Sequence, residues 1–127
     1  MRITLIHNPK AGHGKHNKKE LMDALAKSGY HATYRSTKKT AYKRALEQPT
    51  DWVIAAGGDG TIEKIASRLI NSDIPLSVLP LGTANNVARN LGFVGSAQDI
   101  IAGLREGKER AFDVGLARGP WGERCFF

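Results

Sequence analysis

The sequence predicts an α/β domain of three layers, with helices on both sides of a mostly parallel sheet. Three observations carry that prediction. Short apolar runs rich in β-branched residues alternate with segments of helical periodicity, and nearly every junction between them holds Gly, Pro, Asn or Thr. Loops rich in glycine follow the strand-like runs, as they do where parallel strands end at one edge of a sheet.

In chain order, Arg2 to Asn8 reads as a first strand, because Ile3, Leu5 and Ile6 are too short a run for a secretory leader or a membrane span. Asn17 to Lys27 places Leu21, Met22, Leu25 and Ala26 on one helical face, and Gly29 stops it. His31 to Ser36 alternates like a strand. Thr40 to Gln48 follows as a helix with Ala41, Ala45 and Leu46 inward, closed by Pro49. Asp51 to Ala56 reads as a buried strand and Ile62 to Ile70 as a helix, its apolar residues three and four apart. Leu76 to Leu79 is the next strand, Thr83 to Leu91 a helix ending at Gly92, and Ala97 to Arg105 a helix ending before Gly107. Glu109 to Ala117 reads as a strand, and Gly119-Pro120-Trp121-Gly122 as a turn into Arg124 to Phe127. That final stretch has no visible partner, so the chain is expected to be cut from something longer.

A length of 127 residues suits one domain with a continuous core. A single cysteine, Cys125, excludes an internal disulfide and points to a reduced, cytoplasmic setting; at a frayed end it is a poor nucleophile. No apolar run approaches the roughly 20 residues that span a bilayer, so membrane contact is expected to be peripheral, at the inner face. The net charge of +7 favours anionic partners, although a solubilising surface explains it equally well. No signal for oligomeric state is present.

Three loops carry the chemistry. Gly57-Gly58-Asp59-Gly60-Thr61 follows a buried strand and opens a helix, so its backbone can approach an anion at the helix's unpaired N–H groups. Asp59 among phosphates makes sense with a divalent cation between them; the alternative is a tight turn in which Asp59 or Thr61 only caps the helix. Gly82-Thr83-Ala84-Asn85-Asn86 follows the next strand and should lie beside it. Thr83 offers a hydroxyl and Asn85 an amide to phosphate or ribose, while Arg89 is either a phosphate ligand or part of a solvated face. The first loop, Asn8 to Lys15, has Gly12 and Gly14 around a flexible turn with Lys10 and Lys15 nearby, but it is not a Walker A loop, since His16 follows Gly14-Lys15. His13 and His16 have the spacing of a metal pair without a third ligand close in sequence. His7 and His31 read as packing or surface residues.

Taken in order and spacing, Ile6 to Gly12, Gly57 to Thr61 and Leu79 to Arg89 resemble the signature of the diacylglycerol kinase catalytic domain family, a likeness running to Asp113-Val114-Gly115. The resemblance implies a Rossmann-like domain over residues 1–127 that binds ATP with Mg²⁺, related in fold to NAD kinases, with a β-rich lipid-binding domain missing from this chain. It implies that Gly57, Gly58, Asp59, Gly60 and Thr61 contact the nucleotide, joined by Ile62 and Glu63, by Gly82, Thr83 and Asn85, and by Asn8 and Thr37 at the border of the pocket. Asp59 is the expected catalytic residue, as the group orienting Mg²⁺, and Asp113 a further metal candidate. Asn86 stands where many relatives carry Asp, which weakens it as a metal ligand. The reaction implied is phosphotransfer from ATP to the hydroxyl of diacylglycerol or a related lipid at a membrane surface, with the isolated piece inactive.

Two rival readings remain at this level. An NAD kinase shares the Gly-Gly-Asp-Gly-Thr turn, though the third loop is the lipid-kinase version. A basic membrane or nucleic-acid binding module would use Lys10, Lys15, Lys18, Lys19, Lys38, Lys39, Lys43 and Arg44, but few aromatics interleave them, so nucleic acid is not expected as a partner.

Overall fold

The structure is a computed structural model that describes residues 1–38 and 40–107, with backbone only at 41, and the backbone of residues 115–119 and 122–126. Four strands form one parallel sheet: β1 (Ile3–His7), β2 (Ala32–Ser36), β3 (Trp52–Gly57) and β4 (Leu76–Pro80), in the order β2-β1-β3-β4. Ile3 to His7 pairs with Ala32 to Ser36 on one side and with Trp52 to Ala56 on the other, and Val53 to Gly57 pairs with Leu76 to Pro80. Gly115–Gly119 and Gly122–Phe126 form a separate antiparallel pair, β5 and β6.

Among the described residues five α-helices accompany the sheet: α1 (Lys18–Lys27), α2 (Ala41–Ala45), α3 (Asp59–Arg68), α4 (Asn86–Asn90) and α5 (Ala97–Gly103). Side chains alternate across a strand, so β1 feeds two cores. Ile3 and Leu5 pack with Leu21 and Leu25 of α1 and Ala97 and Ile101 of α5. Ile6 packs on the opposite face with Tyr42 of α2, Ile62 and Ile65 of α3, and Val87 and Ala88 of α4. This is the three-layer arrangement expected. Every residue of β1 is buried, as strands covered by helices on both faces must be, whereas edge strand β2 alternates between partly buried and exposed.

Local signals set the helix ends. The Asn17 side chain accepts the Glu20 N–H at 2.8 Å to start α1, and Ser96 and Asp99 form a capping box on α5. Helix α2 ends at Ala45, short of the expected Gln48, and two helix starts at the loops differ from the sequence reading. Helix α3 begins at Asp59, not Ile62, so the glycine-rich turn is itself the first helical turn; α4 begins at Asn86, not Thr83, because Asn85 takes the left-handed conformation (φ 54°) and breaks the run. In α2 the buried side chain is Tyr42, with Ala45 and Leu46 only partly covered. The expected strand over 109–117 is described only from Gly115 onward. Among the described residues no helix is long and apolar enough to cross a membrane.

Candidate functional site

Parallel pairing sends the loops after all four strands to the same edge, and the strand order decides which of them touch. The loops after β3 and β4 meet directly: a Cβ built on Gly82 would lie 2.7 Å from the Cα of Gly58. Only glycine at 82 allows that approach. Leu81 N–H donates to the Gly57 carbonyl at 3.0 Å and locks the junction. Beside it, the loop after β1 (Ala11–Gly14) is kinked, with Gly12 and His13 both in left-handed backbone. Gly12 has φ +62°, and a Cβ there would stand 2.5 Å from the Leu81 carbonyl oxygen, so this loop lies against the end of β4.

At the start of α3 the N-cap is Gly58, which has no side chain to satisfy the first amides. Ile62 N–H is the first to bond back, to the Gly58 carbonyl at 3.1 Å, and among the described residues nothing accepts from the N–H groups of Asp59, Gly60 and Thr61. A Cβ on Gly60 would meet nothing within 4 Å, so this turn faces open space. The donors of an uncapped helix start therefore border the place where Gly58 and Gly82 meet, which suits a phosphate.

Asp59 does something neither sequence reading foresaw. Its carboxylate caps the neighbouring helix: Oδ2 accepts from Asn86 N–H at 3.1 Å and Oδ1 from Val87 N–H at 2.9 Å. Both oxygens keep a second lone pair. Arg89 is likewise committed to its own loop, donating to the Ala84 carbonyl at 2.6 Å and to Asn86 Oδ1 at 2.8 Å. The amide oxygen of Asn85 is buried without a hydrogen-bond partner among the described residues, an acceptor held beside Gly82.

A cleft of about 590 Å³ opens next to this rim, between the loops after β1 and β2 and the helices α2 and α3. Asn8, Thr37 and Thr61 line it together. Asn8 is fixed twice, its Oδ1 accepting Lys10 N–H at 3.1 Å and its Nδ2 donating to Thr61 Oγ1 at 3.1 Å. Lys10, Lys38 and Lys64 also line the cleft, Tyr42 and Ile65 give it an apolar wall, and among the described residues no acidic side chain takes part in the lining. Among the described residues no salt bridge holds any of those three lysines.

The structure thus groups Asn8, Thr37 and Thr61 in the cleft, and Gly57, Gly58, Asp59 and Gly60 with Gly82 and Asn85 along the rim. Thr83 is exposed in the loop before α4, and Glu63 is exposed outside the cleft. Ile62 belongs to the core: its side chain is fully buried and its N–H is spent within the helix. Tyr42 and Lys64 were missed as site residues. Lys64 was legible, three residues after Thr61 on the same helical face; Tyr42 was hidden by the more helical alanines around it. Asp113 lies outside the described residues.

Among the described residues no three His, Cys, Asp or Glu side chains converge, and His16 Nδ1 sits 3.5 Å from Glu20 Oε1. His7 is fully buried, with Nδ1 2.7 Å from the Tyr34 hydroxyl. Burial, and secondly the charge of nearby His16, hold its pKa below the ordinary histidine value, and burial raises that of Tyr34. His31 is exposed.

Comparison with known proteins gives one consistent answer. Residues 2–117 match the model of the family described as the diacylglycerol kinase catalytic domain. The chain is 33% identical over 132 aligned positions to a diacylglycerol kinase of Bacillus subtilis, covering 94% of this chain and 43% of the relative. A Staphylococcus aureus diacylglycerol kinase is 32% identical, with 90% of this chain and 39% of the relative covered. A crystal structure of a diacylglycerol kinase from Bacillus anthracis superposes with a TM-score of 0.69 at 26% identity, over 96% of this chain and 47% of that one. The chain therefore spans about 40% of the length of the curated relatives it matches.

Proposed function

Since this chain belongs to the diacylglycerol kinase catalytic domain family, we propose that it is the ATP-binding portion of a kinase that transfers the γ-phosphoryl group of ATP to a hydroxyl of diacylglycerol or a related lipid. The observation that carries this reading is the Gly58–Gly82 contact, which brings the uncapped start of α3 to the edge of a cleft lined by three lysines. Phosphates fit there on two grounds. Unpaired N–H groups and the positive end of the helix dipole favour anions, and a lysine-lined cleft lowers the cost of holding a highly charged triphosphate.

In the reaction proposed, the lipid oxygen attacks the γ-phosphorus, the bond from that phosphorus to the β,γ-bridging oxygen breaks, ADP leaves, and the hydroxyl proton passes to a base. Such a transfer is catalysed mainly by positioning and charge neutralisation. Asn8 and Thr61, already joined by a hydrogen bond, would fix one wall of the nucleotide pocket, and the amides of Gly60 and Thr61 would hold phosphate oxygens. We assign the base, and most lipid contacts, to a β-rich domain beyond residue 127.

The residues fit Mg²⁺ in a limited way. Asp59 is the one carboxylate at the rim among the described residues, and its oxygens each keep a lone pair while accepting the α4 amides. That suits an ion held chiefly by nucleotide phosphates and water, as Mg²⁺ commonly is. When bound, it would neutralise phosphate charge.

Calorimetric titration of the chain with Mg-ATP tests the reading, with one site per chain expected and no response overturning it. In an extended protein that includes the second domain, Asp59→Ala is expected to abolish lipid phosphorylation. Robust lipid phosphorylation by residues 1–127 alone would overturn the division of labour.

A further inference from the structure

A second groove, of about 390 Å³, continues from the first along α3, and the two share Tyr42 and Lys64. Helical geometry orders them. With a rise of about 1.5 Å per residue, Thr61 marks the first turn of α3, Lys64 lies roughly 4.5 Å farther along the axis, and Arg68 roughly 10 Å farther. The second groove is thus the end of the cleft remote from the glycine rim, and its lining adds Lys43, Ser67 and Arg68.

The charge there exceeds what a nucleoside requires. If the phosphates lie at the rim, the base and sugar extend along the cleft, and they are neutral. Yet Lys38, Lys64, Lys43 and Arg68 succeed one another, and among the described residues no acidic side chain lines either groove and no salt bridge holds any of the four. A cation in the last turn of a helix is ordinary, and Arg68 alone would need no further reason. Lys43 stands in the last turn of α2, a helix of only five residues, but Lys64 is in the middle of α3, where the dipole does not account for it. Ser67 is not a donor to the groove, because its hydroxyl proton is given to the Glu63 carbonyl at 2.6 Å.

We infer that the groove between α2 and α3 is an anion subsite in which Lys43, Lys64 and Arg68 take a phosphate monoester, separate from the phosphates at the rim. The inference rests on the nucleotide reading for its orientation but not for its chemistry. The phosphate can come from two sources: a phosphoryl group on the ribose of the bound nucleotide, or a second, independent phosphorylated molecule. Lys64, facing both grooves, couples the two subsites.

The test compares AMP, adenosine 2′,5′-bisphosphate, adenosine 3′,5′-bisphosphate and inorganic phosphate by calorimetry and amide chemical shifts, on the wild-type chain and on Lys43→Ala/Arg68→Ala. Neither substituted residue lines the first cleft, so ATP binding is expected to be unchanged in the double variant. A ribose source predicts that one bisphosphate binds at least tenfold tighter than AMP and that the double variant removes the gain. An independent source predicts no gain for the bisphosphates, but saturable phosphate-induced shifts around residues 43, 64 and 68 that the double variant abolishes. The inference is overturned if neither effect appears, or if either survives in the double variant. Failure of the nucleotide reading is seen separately, as absence of ATP binding to the wild-type chain, and the phosphate titration still decides the subsite.

Discussion

The carboxylate of Asp59, in the first turn of α3, accepts the Val87 N–H of α4 at 2.9 Å, and its second oxygen takes the adjacent amide of Asn86 at 3.1 Å. One residue thus begins one helix and caps another, which links the loops after β3 and β4 beyond their glycine contact. The arrangement separates a structural from a chemical role. Asp59→Asn keeps one acceptor oxygen but turns an amide NH₂ toward a backbone donor, so it should cost about 1–2 kcal/mol. Urea unfolding should show a lower midpoint with an unchanged slope. A loss below about 0.5 kcal/mol would mean that the cap contributes little.

Gly82→Ala strikes the same junction from the other side. The added methyl would stand 2.7 Å from the Gly58 Cα and 3.2 Å from the Asn85 amide oxygen, and the first of these is backbone that cannot swing aside. The two loops must part, at a cost of about 1–3 kcal/mol by the usual penalty for overpacking. Nucleotide affinity should fall with stability. Full retention of both would show that the rim is softer than its contacts imply.

The layers of the fold were legible because they depend on patterns that repeat. Periods of two and of 3.6, with glycine or proline between, recover the four central strands and the helices that cover them. Boundaries at the site were not. The Gly58 and Asn85 turns place the helix starts by single backbone conformations, and a run such as Thr83 to Leu91 gives no hint that Asn85 turns left-handed. The Asp59 cap was hidden for a related reason: its partners are amides 27 and 28 residues away, and backbone donors leave no mark in a sequence. The cleft lysines were visible as charge, but only the packing of α2 against β2 and α3 shows which of them share a cavity.

His7 sets a pH dependence. It is buried with its pKa lowered from the ordinary 6.5, so the unfolded chain binds a proton more readily than the folded one. Stability is therefore full above about pH 6.5 and is lost as the pH falls toward the lowered folded value. The urea midpoint should drop between pH 7 and pH 5, and His7→Gln, although less stable at pH 7 for want of the 2.7 Å Tyr34 contact, should flatten that slope. Asp51 acts in a different window. Its pKa is lowered by the Arg2 amide and then by the Arg2 side chain, so its contribution is present above the ordinary 3.8 and disappears only below it. An unchanged slope in His7→Gln would move the acid sensitivity to another group.

Gly60→Ala sets stability against binding at a single methyl group. Gly60 occupies the second position of α3, its φ is not left-handed, and a Cβ there would touch nothing within 4 Å. Alanine reduces the freedom of the unfolded chain and suits a helix, so the free protein should gain about 0.4–1 kcal/mol. If phosphate oxygens come up to the Gly60 and Thr61 amides, the methyl stands in their path, and Mg-ATP affinity should fall about tenfold or more, equivalent to about 1.4 kcal/mol. Opposite movements of the urea midpoint and the calorimetric affinity would place the anion at this turn. A more stable variant that still binds Mg-ATP normally would move the phosphates off the α3 turn, toward the lysines of the cleft.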